Sequence, residues 1–246
     1  QVMRYTNNSP DTLGRFYLHL YPNAYRERDS QLIKDYLQGT WLILVGLTEA
    51  DRGWIEVDTL SVDGEGVSFE VEGTILTAGF PRPVAPGETV TLALEFRELV
   101  RRKLGRAGYE GEHYDMAQWY PKMVVYDDMG WHPDQFRRGE FYGEFGDFDV
   151  EVTLPERFVI AATGTLVSGD PGWERNSPLG AGGETGAEGS GDGGREKTVR
   201  FRAERVHDFA WSADPDFVVE RADLGDYEVR SFYRRQTSGW ADSVLV

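Results

Sequence analysis

The sequence predicts a mainly β protein, an antiparallel β-sandwich with one or two short helices. Many segments alternate apolar and polar residues, which is typical of half-buried antiparallel strands. Turn signals rich in glycine, proline and aspartate separate these segments, and hardly any stretch has the period of a helix. Because helices do not alternate with the strands, a sandwich is favoured over a parallel βαβ fold.

The first predicted elements are one strand and one helix. Residues 15–21 are dense in aromatic and aliphatic side chains and end at a Pro-Asn pair, which predicts a strand followed by a turn. Asp29-Ser30 is suited to cap a helix that runs to Gln38, and Gly39 stands where a C-terminal glycine belongs. Residues 41–47 form the longest apolar run, which has the length of a buried strand.

Period-2 alternation predicts the remaining strands, at residues 54–60, 67–76, 89–96, 145–154, 158–163, 198–203, 217–221 and 227–233. The string Asp63-Gly64-Glu65-Gly66 predicts a hairpin turn between the first two of these. Pro81, Pro83 and Pro86 predict a loop before the third.

One domain is predicted for residues 1–234, because a single large sandwich is the economical interpretation of 246 residues. Within it, residues 168–196 are rich in Gly, Ser, Glu and Asp, which cannot bury enough apolar surface to offset the entropy of ordering. We expect this stretch to be a flexible insertion that joins two strands of the same domain, with a domain linker as the alternative. Residues 235–246 are predicted to begin a linker out of the domain.

Charge and composition exclude several classes of function. The formal net charge is -16, whereas nucleic-acid binding depends on clustered Lys and Arg, so no nucleic-acid partner is predicted. No apolar run approaches the length of a membrane helix, so no membrane segment is predicted in this chain. Cysteine is absent, which removes disulfides, thiolate zinc sites and a cysteine nucleophile and leaves the cellular compartment open.

The sequence contains no complete active site. A zinc hydrolase helix presents two closely spaced histidines, and no such pair occurs among His19, His113, His132 and His207. The nearest match to a serine hydrolase elbow, at residues 189–191, falls in the glycine-rich stretch and precedes no predicted helix. No catalytic residue and no metal ligand is therefore assigned within this chain.

Two weaker candidate sites remain. Asp127-Asp128 and Asp134 could bind calcium through carboxylate oxygens, with exposed turn carboxylates as the alternative. Trp119-Tyr120 and Trp131 lie in strings dense in aromatic residues and proline, which could bind sugar or peptide because flat rings offer much contact area. The alternative is that these strings form the packed interior of a long loop.

Five strings, taken in order, resemble the N-terminal domain of bacterial aminopeptidase-N-like zinc metallopeptidases of the gluzincin type: residues 5–13, 18–25, 116–122, 139–150 and 161–164. The resemblance runs from about Tyr5 to about Tyr233. It implies a saddle-like β domain that packs beside a thermolysin-like, zinc-carrying catalytic domain of the same polypeptide. The Gly-x-Met-Glu-Asn and His-Glu-x-x-His motifs of the family lie downstream of this domain and do not occur here. The resemblance thus implies a non-catalytic domain, with zinc as the cofactor of the parent protein only.

The resemblance also implies one substrate-binding residue. Relatives place a Gln or Glu near the amino end or first side chain of the substrate, shortly before the Pro of the aromatic segment, and Gln118 is the matching residue. It lies closer to Pro121 than the usual pattern, and residues 122–128 replace the family's Cys-x-Asp-x-Pro continuation. The alternative is a structural Gln that bonds a neighbouring loop.

Three functional hypotheses follow. The leading one is a non-catalytic N-terminal domain that packs on the catalytic domain and helps to wall the cavity for the peptide substrate. The second is a free-standing sandwich that binds sugar or peptide through its aromatic cluster. The third is that the parent protein is a pseudo-enzyme or scaffold whose zinc ligands have decayed.

Overall fold

A computed structural model describes residues 1–38, 48–102, 106–137, 139, 141–174 and 194–234. It is mainly β, with 57% strand and 6% helix. All of the paired strands in the described residues run antiparallel. The predicted fold class is therefore confirmed. No helix within the described residues is long and apolar enough to cross a membrane.

The described elements comprise nineteen strands, one α-helix and two 3-10 turns. The strands are β1 Val2–Thr6, β2 Leu13–His19, β3 Trp54–Val62, β4 Glu65–Gly66, β5 Phe69–Glu72, β6 Ile75–Val84, β7 Thr89–Leu99, β8 Gly108–Glu110, β9 His113–Met116, β10 Lys122–Met123, β11 Tyr126–Asp127, β12 Gly130–Trp131, β13 Gly146–Pro155, β14 Val159–Ala162, β15 Thr165–Ser168, β16 Glu196–Val206, β17 Trp211–Asp214, β18 Phe217–Leu224 and β19 Tyr227–Arg234. The α-helix α1 is Gln31–Gln38, and the 3-10 turns are Tyr21–Tyr25 and Glu49–Asp51.

The chain divides into two compact units. Unit 1 comprises Gln1–Gly108 and Gln118–Phe145, and unit 2 comprises Tyr109–Ala117 and Gly146–Val246. The assignment of residues 1–234 to one domain stays a prediction, and the predicted linker at 235–246 lies outside the described residues.

Unit 1 contains two four-stranded sheets that share one core. Their strand orders are β1-β7-β3-β4 and β10-β2-β6-β5, and β11 and β12 form a separate hairpin. Every second residue in the first half of β7 is buried, as its apolar-polar alternation predicts: Val90, Leu92 and Leu94. These side chains belong to the same apolar cluster as Phe16 and Leu76 of the other sheet. The two sheets therefore pack face to face as a sandwich.

The structure confirms that Ser30 caps the start of the helix. The Ser30 hydroxyl accepts a hydrogen bond from the Ile33 N–H at 3.3 Å, which satisfies one of the free donors at the start of α1. Leu32 and Ile33 are buried, so the helix rests on the unit through one apolar face. Gly39 and the predicted strand at 41–47 lie outside the described residues.

The strand predicted at 67–76 is instead two strands, β5 and β6, joined by a turn. Gly73 has φ +57, and a glycine tolerates this left-handed backbone without the clash that a Cβ causes. The loop predicted before β7 from Pro81, Pro83, Pro86 and Gly87 is shorter than expected: Pro86 and Gly87 lie in a turn, whereas Pro81 and Pro83 lie inside β6. They fall between the register partners Gly79–Arg15 and Val84–Leu13, where the β2–β6 ladder is irregular, so the missing N–H groups are tolerated.

Unit 2 contains three small sheets. Their strand orders are β13-β16-β15, β14-β17-β9-β8 and β18-β19. Val199, Phe201 and Ala203 of β16 are buried, and the residues between them face outward. Around Val159, a second apolar cluster includes Phe217 and Val219.

The strands on either side of the glycine-rich stretch pair with each other, since β15 and β16 run antiparallel. Trp173, at the start of this stretch, donates a hydrogen bond from its indole N–H to the Ile160 carbonyl at 2.8 Å. Its ring also lies under the Arg230 guanidinium, 4.0 Å from the ring centre. Residues 175–193, which contain most of the predicted flexible insertion, lie outside the described residues.

Candidate functional site around Gln118

Gln118 occupies a bend between β9 and β10 and has a left-handed backbone. Its φ is +56, a conformation that few residues other than glycine adopt. The residue is half-buried, and within the described part of the chain its side chain makes no hydrogen bond. The role of Gln118 in substrate binding and the alternative of a structural glutamine therefore both stay predictions.

The segment that follows Gln118 is firmly held. Tyr120 is buried, and the Trp119 ring lies 5.5 Å from that of Tyr120 and 6.4 Å from that of Phe96. The Pro121 carbonyl accepts a hydrogen bond from the Gln1 side-chain amide at 3.1 Å. Beyond it, β10 pairs with β2. Because these contacts fix the chain directly after Gln118, they support its strained backbone.

Asp127 organises the loop that follows. Its carboxylate accepts hydrogen bonds from His132 Nε2 at 2.8 Å, the Met129 N–H at 2.9 Å and the Tyr142 hydroxyl at 2.8 Å. These three donors, with His132 the largest contributor, lower the pKa of Asp127 to about 2. A carboxylate that bonds its own loop in this way has a structural role.

The calcium hypothesis gains no support from the structure. No group of three or more His, Asp and Glu side chains that could hold a metal occurs among the described residues. Asp127 is occupied by its loop, and the Asp134 N–H donates to the His132 carbonyl at 2.8 Å, as in a turn. The turn-carboxylate interpretation is therefore favoured for Asp127, and calcium binding at Asp128 and Asp134 stays a hypothesis.

The aromatic strings pack against the chain itself. The Trp131 ring lies 5.1 Å from Tyr126, 5.7 Å from Tyr17 and 6.2 Å from Tyr5, measured between ring centres. Tyr120 is only 6% exposed. These contacts favour the packed-loop interpretation over a platform for sugar or peptide.

Two buried asparagines in the motif strings also have structural roles. Asn7 donates to the carbonyls of Asp11 and Val84 at 2.7 and 3.0 Å and accepts from the N–H and hydroxyl of Ser9 at 3.1 and 2.6 Å. Asn23 accepts a hydrogen bond from the Ile55 N–H at 2.9 Å and so joins the first 3-10 turn to β3. These two asparagines of the motif strings therefore help to build the fold through hydrogen bonds. Gln118 differs from them, because its side chain makes no hydrogen bond within the described residues.

A buried polar cluster in unit 2 escaped the sequence analysis. His113 lies between two carboxylates, with Nδ1 3.1 Å from Asp214 and Nε2 3.2 Å from Asp115. Asp115 also accepts a hydrogen bond from the Ser212 hydroxyl at 2.5 Å, and Asp214 lies 3.4 Å from Arg234 Nε. The cluster joins β9 to β17, and both of its carboxylates are bonded, so it stabilises this sheet of unit 2. The only sign of this cluster in the sequence is that each strand carries two polar residues two positions apart, His113 and Asp115 on β9 and Ser212 and Asp214 on β17.

A second missed group is Glu98, near the end of β7. It is half-buried opposite Ile55, and burial raises its pKa to about 8, while the Arg101 charge opposes the rise. Arg101 is buried and lies 3.7 Å from the centre of the Tyr25 ring. The carboxyl group therefore favours its neutral form at this position.

No family model and no curated protein sequence matches the chain. Its fold matches 78 chains of solved structures. A crystal structure of the M1 zinc metallopeptidase from Deinococcus radiodurans matches 95% of this chain and 43% of its own, with TM-score 0.50 and 16% identity. A mutant of that enzyme gives TM-score 0.51 and 17% identity over the same shares. A mutant two-domain M1 zinc metallopeptidase bound to L-tryptophan gives TM-score 0.50 and 16% identity, and the match again covers 95% of this chain and 43% of that one.

The chain spans 43% of the length of these solved structures. At 16–17% identity the similarity establishes the fold. Nearly all of the chain thus has a fold found in M1 zinc metallopeptidases, which confirms, at the level of fold, the resemblance in the motif strings.

Proposed function

We propose that this chain is the non-catalytic N-terminal domain of an aminopeptidase-like zinc metallopeptidase. It packs on the catalytic domain of the same polypeptide and contributes one wall of the cavity that binds the peptide. The shared fold and the motif strings support this role. Among the described residues, no group of three or more His, Asp or Glu side chains could hold a metal ion, and no step of hydrolysis is assigned to this chain.

The observation that carries the proposal is the left-handed backbone of Gln118. A left-handed backbone at a residue other than glycine costs about 1–3 kcal/mol, and such strain clusters at functional sites, although Asp63 and Arg205 of this chain also adopt it. The side-chain carbonyl of Gln118 can accept a hydrogen bond from a protonated amine, and its NH2 group can donate to a peptide carbonyl. Both groups occur at the amino end of a peptide. We therefore assign Gln118 to binding of the substrate's amino end.

The proposal also requires a surface for the catalytic domain. In unit 1, Met129 and Phe145 are 80% and 69% exposed. In unit 2, Leu224 and Tyr227 form a register pair at the tip of the β18–β19 hairpin and are 71% and 76% exposed. Of these four residues, Leu224 and Tyr227 are neighbours, so the tip of this hairpin is the candidate contact for the catalytic domain.

Kinetics of the full-length protein test the role of Gln118. We expect Gln118→Ala to lower kcat/KM for an aminoacyl anilide by about 10-fold to 100-fold, because a hydrogen bond to a charged group contributes about 1.5–3 kcal/mol. Gln118→Glu should retain activity, since a carboxylate also accepts from the amine. Gln31→Ala is the matched control, because Gln31 bonds only Asp35 of its own helix in the described residues. Unchanged kinetics in Gln118→Ala would remove the assignment.

A further inference from the structure

A cleft of about 300 Å³ opens in unit 1 where β3 begins and β7 ends. Its walls are Arg26, Glu27, Glu49, Arg52, Trp54 and Leu99. The volume lies at the lower end of the range for small-molecule sites and suits a ligand of amino-acid size. None of these residues belongs to the segment around Gln118, so the cleft does not depend on the function proposed for that segment.

Arg52 is the feature that suggests a ligand. Its side chain is 33% exposed, and the only carboxylate within ion-pair distance in the described residues is that of Glu49, 3.9 Å away. Among these residues its guanidinium makes no hydrogen bond, although it carries five donors in a fixed fork. Such a fork binds carboxylates in bidentate fashion. Arg26, by contrast, is bonded to Glu56 at 3.2 Å.

The other residues that line the cleft indicate which further groups a ligand would need. Glu27 lies 3.7 Å from Arg26 and Glu49 lies 3.9 Å from Arg52, and their side chains are 64% and 89% exposed. Each carboxylate has further lone pairs that can accept a hydrogen bond from an ammonium group. Trp54 and Leu99 are register partners on neighbouring strands, and Leu99 is 46% exposed, so together they offer an apolar wall.

We infer that this cleft binds a free α-amino acid with an apolar side chain. The carboxylate of the amino acid pairs with Arg52, its ammonium group with Glu27 or Glu49, and its side chain lies against Trp54 and Leu99. The two acidic residues repel a simple anion, and the two arginines repel a simple cation. A zwitterion matches both charges.

Titration of the 246-residue chain with L-leucine, followed by isothermal calorimetry and by the NMR signal of the Trp54 indole N–H, tests this site. We expect saturable binding with a Kd in the millimolar range. Leucinamide lacks the carboxylate and N-acetyl-leucine lacks the ammonium group, so each should bind at least about tenfold more weakly. Absence of saturable binding, or equal binding of leucinamide, would overturn the inference.

Variants locate the site. Arg52→Gln should weaken L-leucine binding about tenfold. Arg202→Gln, which removes an exposed arginine of unit 2 that pairs with Glu204 at 2.9 Å, should leave it unchanged. Leu99→Ser provides a second test should the first variant fold poorly, and it should also weaken binding. Binding that survives both cleft variants, or that is lost in Gln118→Ala, would place the amino acid elsewhere.

Discussion

Asn7 is fully buried, and both ends of its amide are used in hydrogen bonds to the chain. Its neighbour Asn8 is exposed. Two adjacent asparagines in one motif string thus differ in what their side chains contribute to stability. A buried amide with all of its partners in place is costly to remove, because its partners are left without hydrogen bonds.

We expect Asn7→Ala to lower the free energy of unfolding by about 2–4 kcal/mol, since it leaves buried carbonyl and N–H groups unpaired. Asn8→Ala is the matched control and should change it by less than about 0.5 kcal/mol. Urea denaturation followed by tryptophan fluorescence measures both values. Equal stability of the two variants would show that the Asn7 bonds contribute little.

Glu98 makes the stability depend on pH. Burial raises its pKa from 4.5 to about 8 in the folded state, so between these values the folded chain holds a proton that the unfolded chain releases. Its contribution to stability is therefore complete at acidic pH and is lost as the pH rises through about 8.

Glu98→Gln replaces the carboxyl group with a neutral amide of similar shape, which cannot lose a proton as the pH rises. We expect the free energy of unfolding of the native chain to fall relative to that of Glu98→Gln as the pH rises. The difference between the two should change by at least about 1 kcal/mol in favour of Glu98→Gln between pH 5 and pH 8.5. Glu95→Gln, an exposed residue of the same strand, should show no such growth. Denaturation midpoints at the two pH values measure the effect, and parallel pH profiles for native chain and Glu98→Gln would refute it.

At the scale of elements, close backbone contacts decide where glycine is required. Gly164 lies in the turn between β14 and β15 with φ +92, and a Cβ there would stand 2.3 Å from the Arg202 carbonyl oxygen. Gly225, in the turn between β18 and β19, has φ +63 and open space around the same position. The first glycine is needed for both its conformation and its size, the second for its conformation alone.

Gly164→Ala should therefore lower the free energy of unfolding by more than about 3 kcal/mol, because the β14–β15 turn must move away from β16. Gly225→Ala should cost only about 1–2 kcal/mol, the price of a left-handed alanine. Thermal denaturation of the two variants gives the comparison. Equal losses would mean that the close contact with Arg202 is relieved without cost.

The strands that the sequence predicts best are those with long alternation, such as β3, β7, β13 and β16. Short strands such as β8, β10 and β11 escaped prediction because two or three residues carry no readable period. β1 and β17 were also missed. The Gly73 turn was hidden inside an unbroken alternating run, because a tight turn needs only one residue with φ above zero.

At the scale of the whole molecule, the fold class could be predicted but the sites only in part. Gln118 came from the resemblance, whereas its left-handed backbone could not be read from the sequence. The His113 cluster and the Arg52 cleft were invisible because their residues lie far apart along the chain and meet only through strand pairing and turns. Tertiary contacts of this kind leave no local pattern.

The units described here supply strands, a substrate-binding candidate and exposed apolar side chains, but no metal-binding group among the described residues. If the account is correct, hydrolysis requires the catalytic domain of the parent protein.

The most direct test compares the full-length protein with the 246-residue chain in hydrolysis of an aminoacyl anilide, with and without a zinc chelator. The account predicts activity in the full-length protein that the chelator abolishes and added zinc restores, and no activity in the chain alone. Chelator-sensitive cleavage by the isolated chain, or a full-length protein that neither binds zinc nor cleaves the anilide, would contradict it.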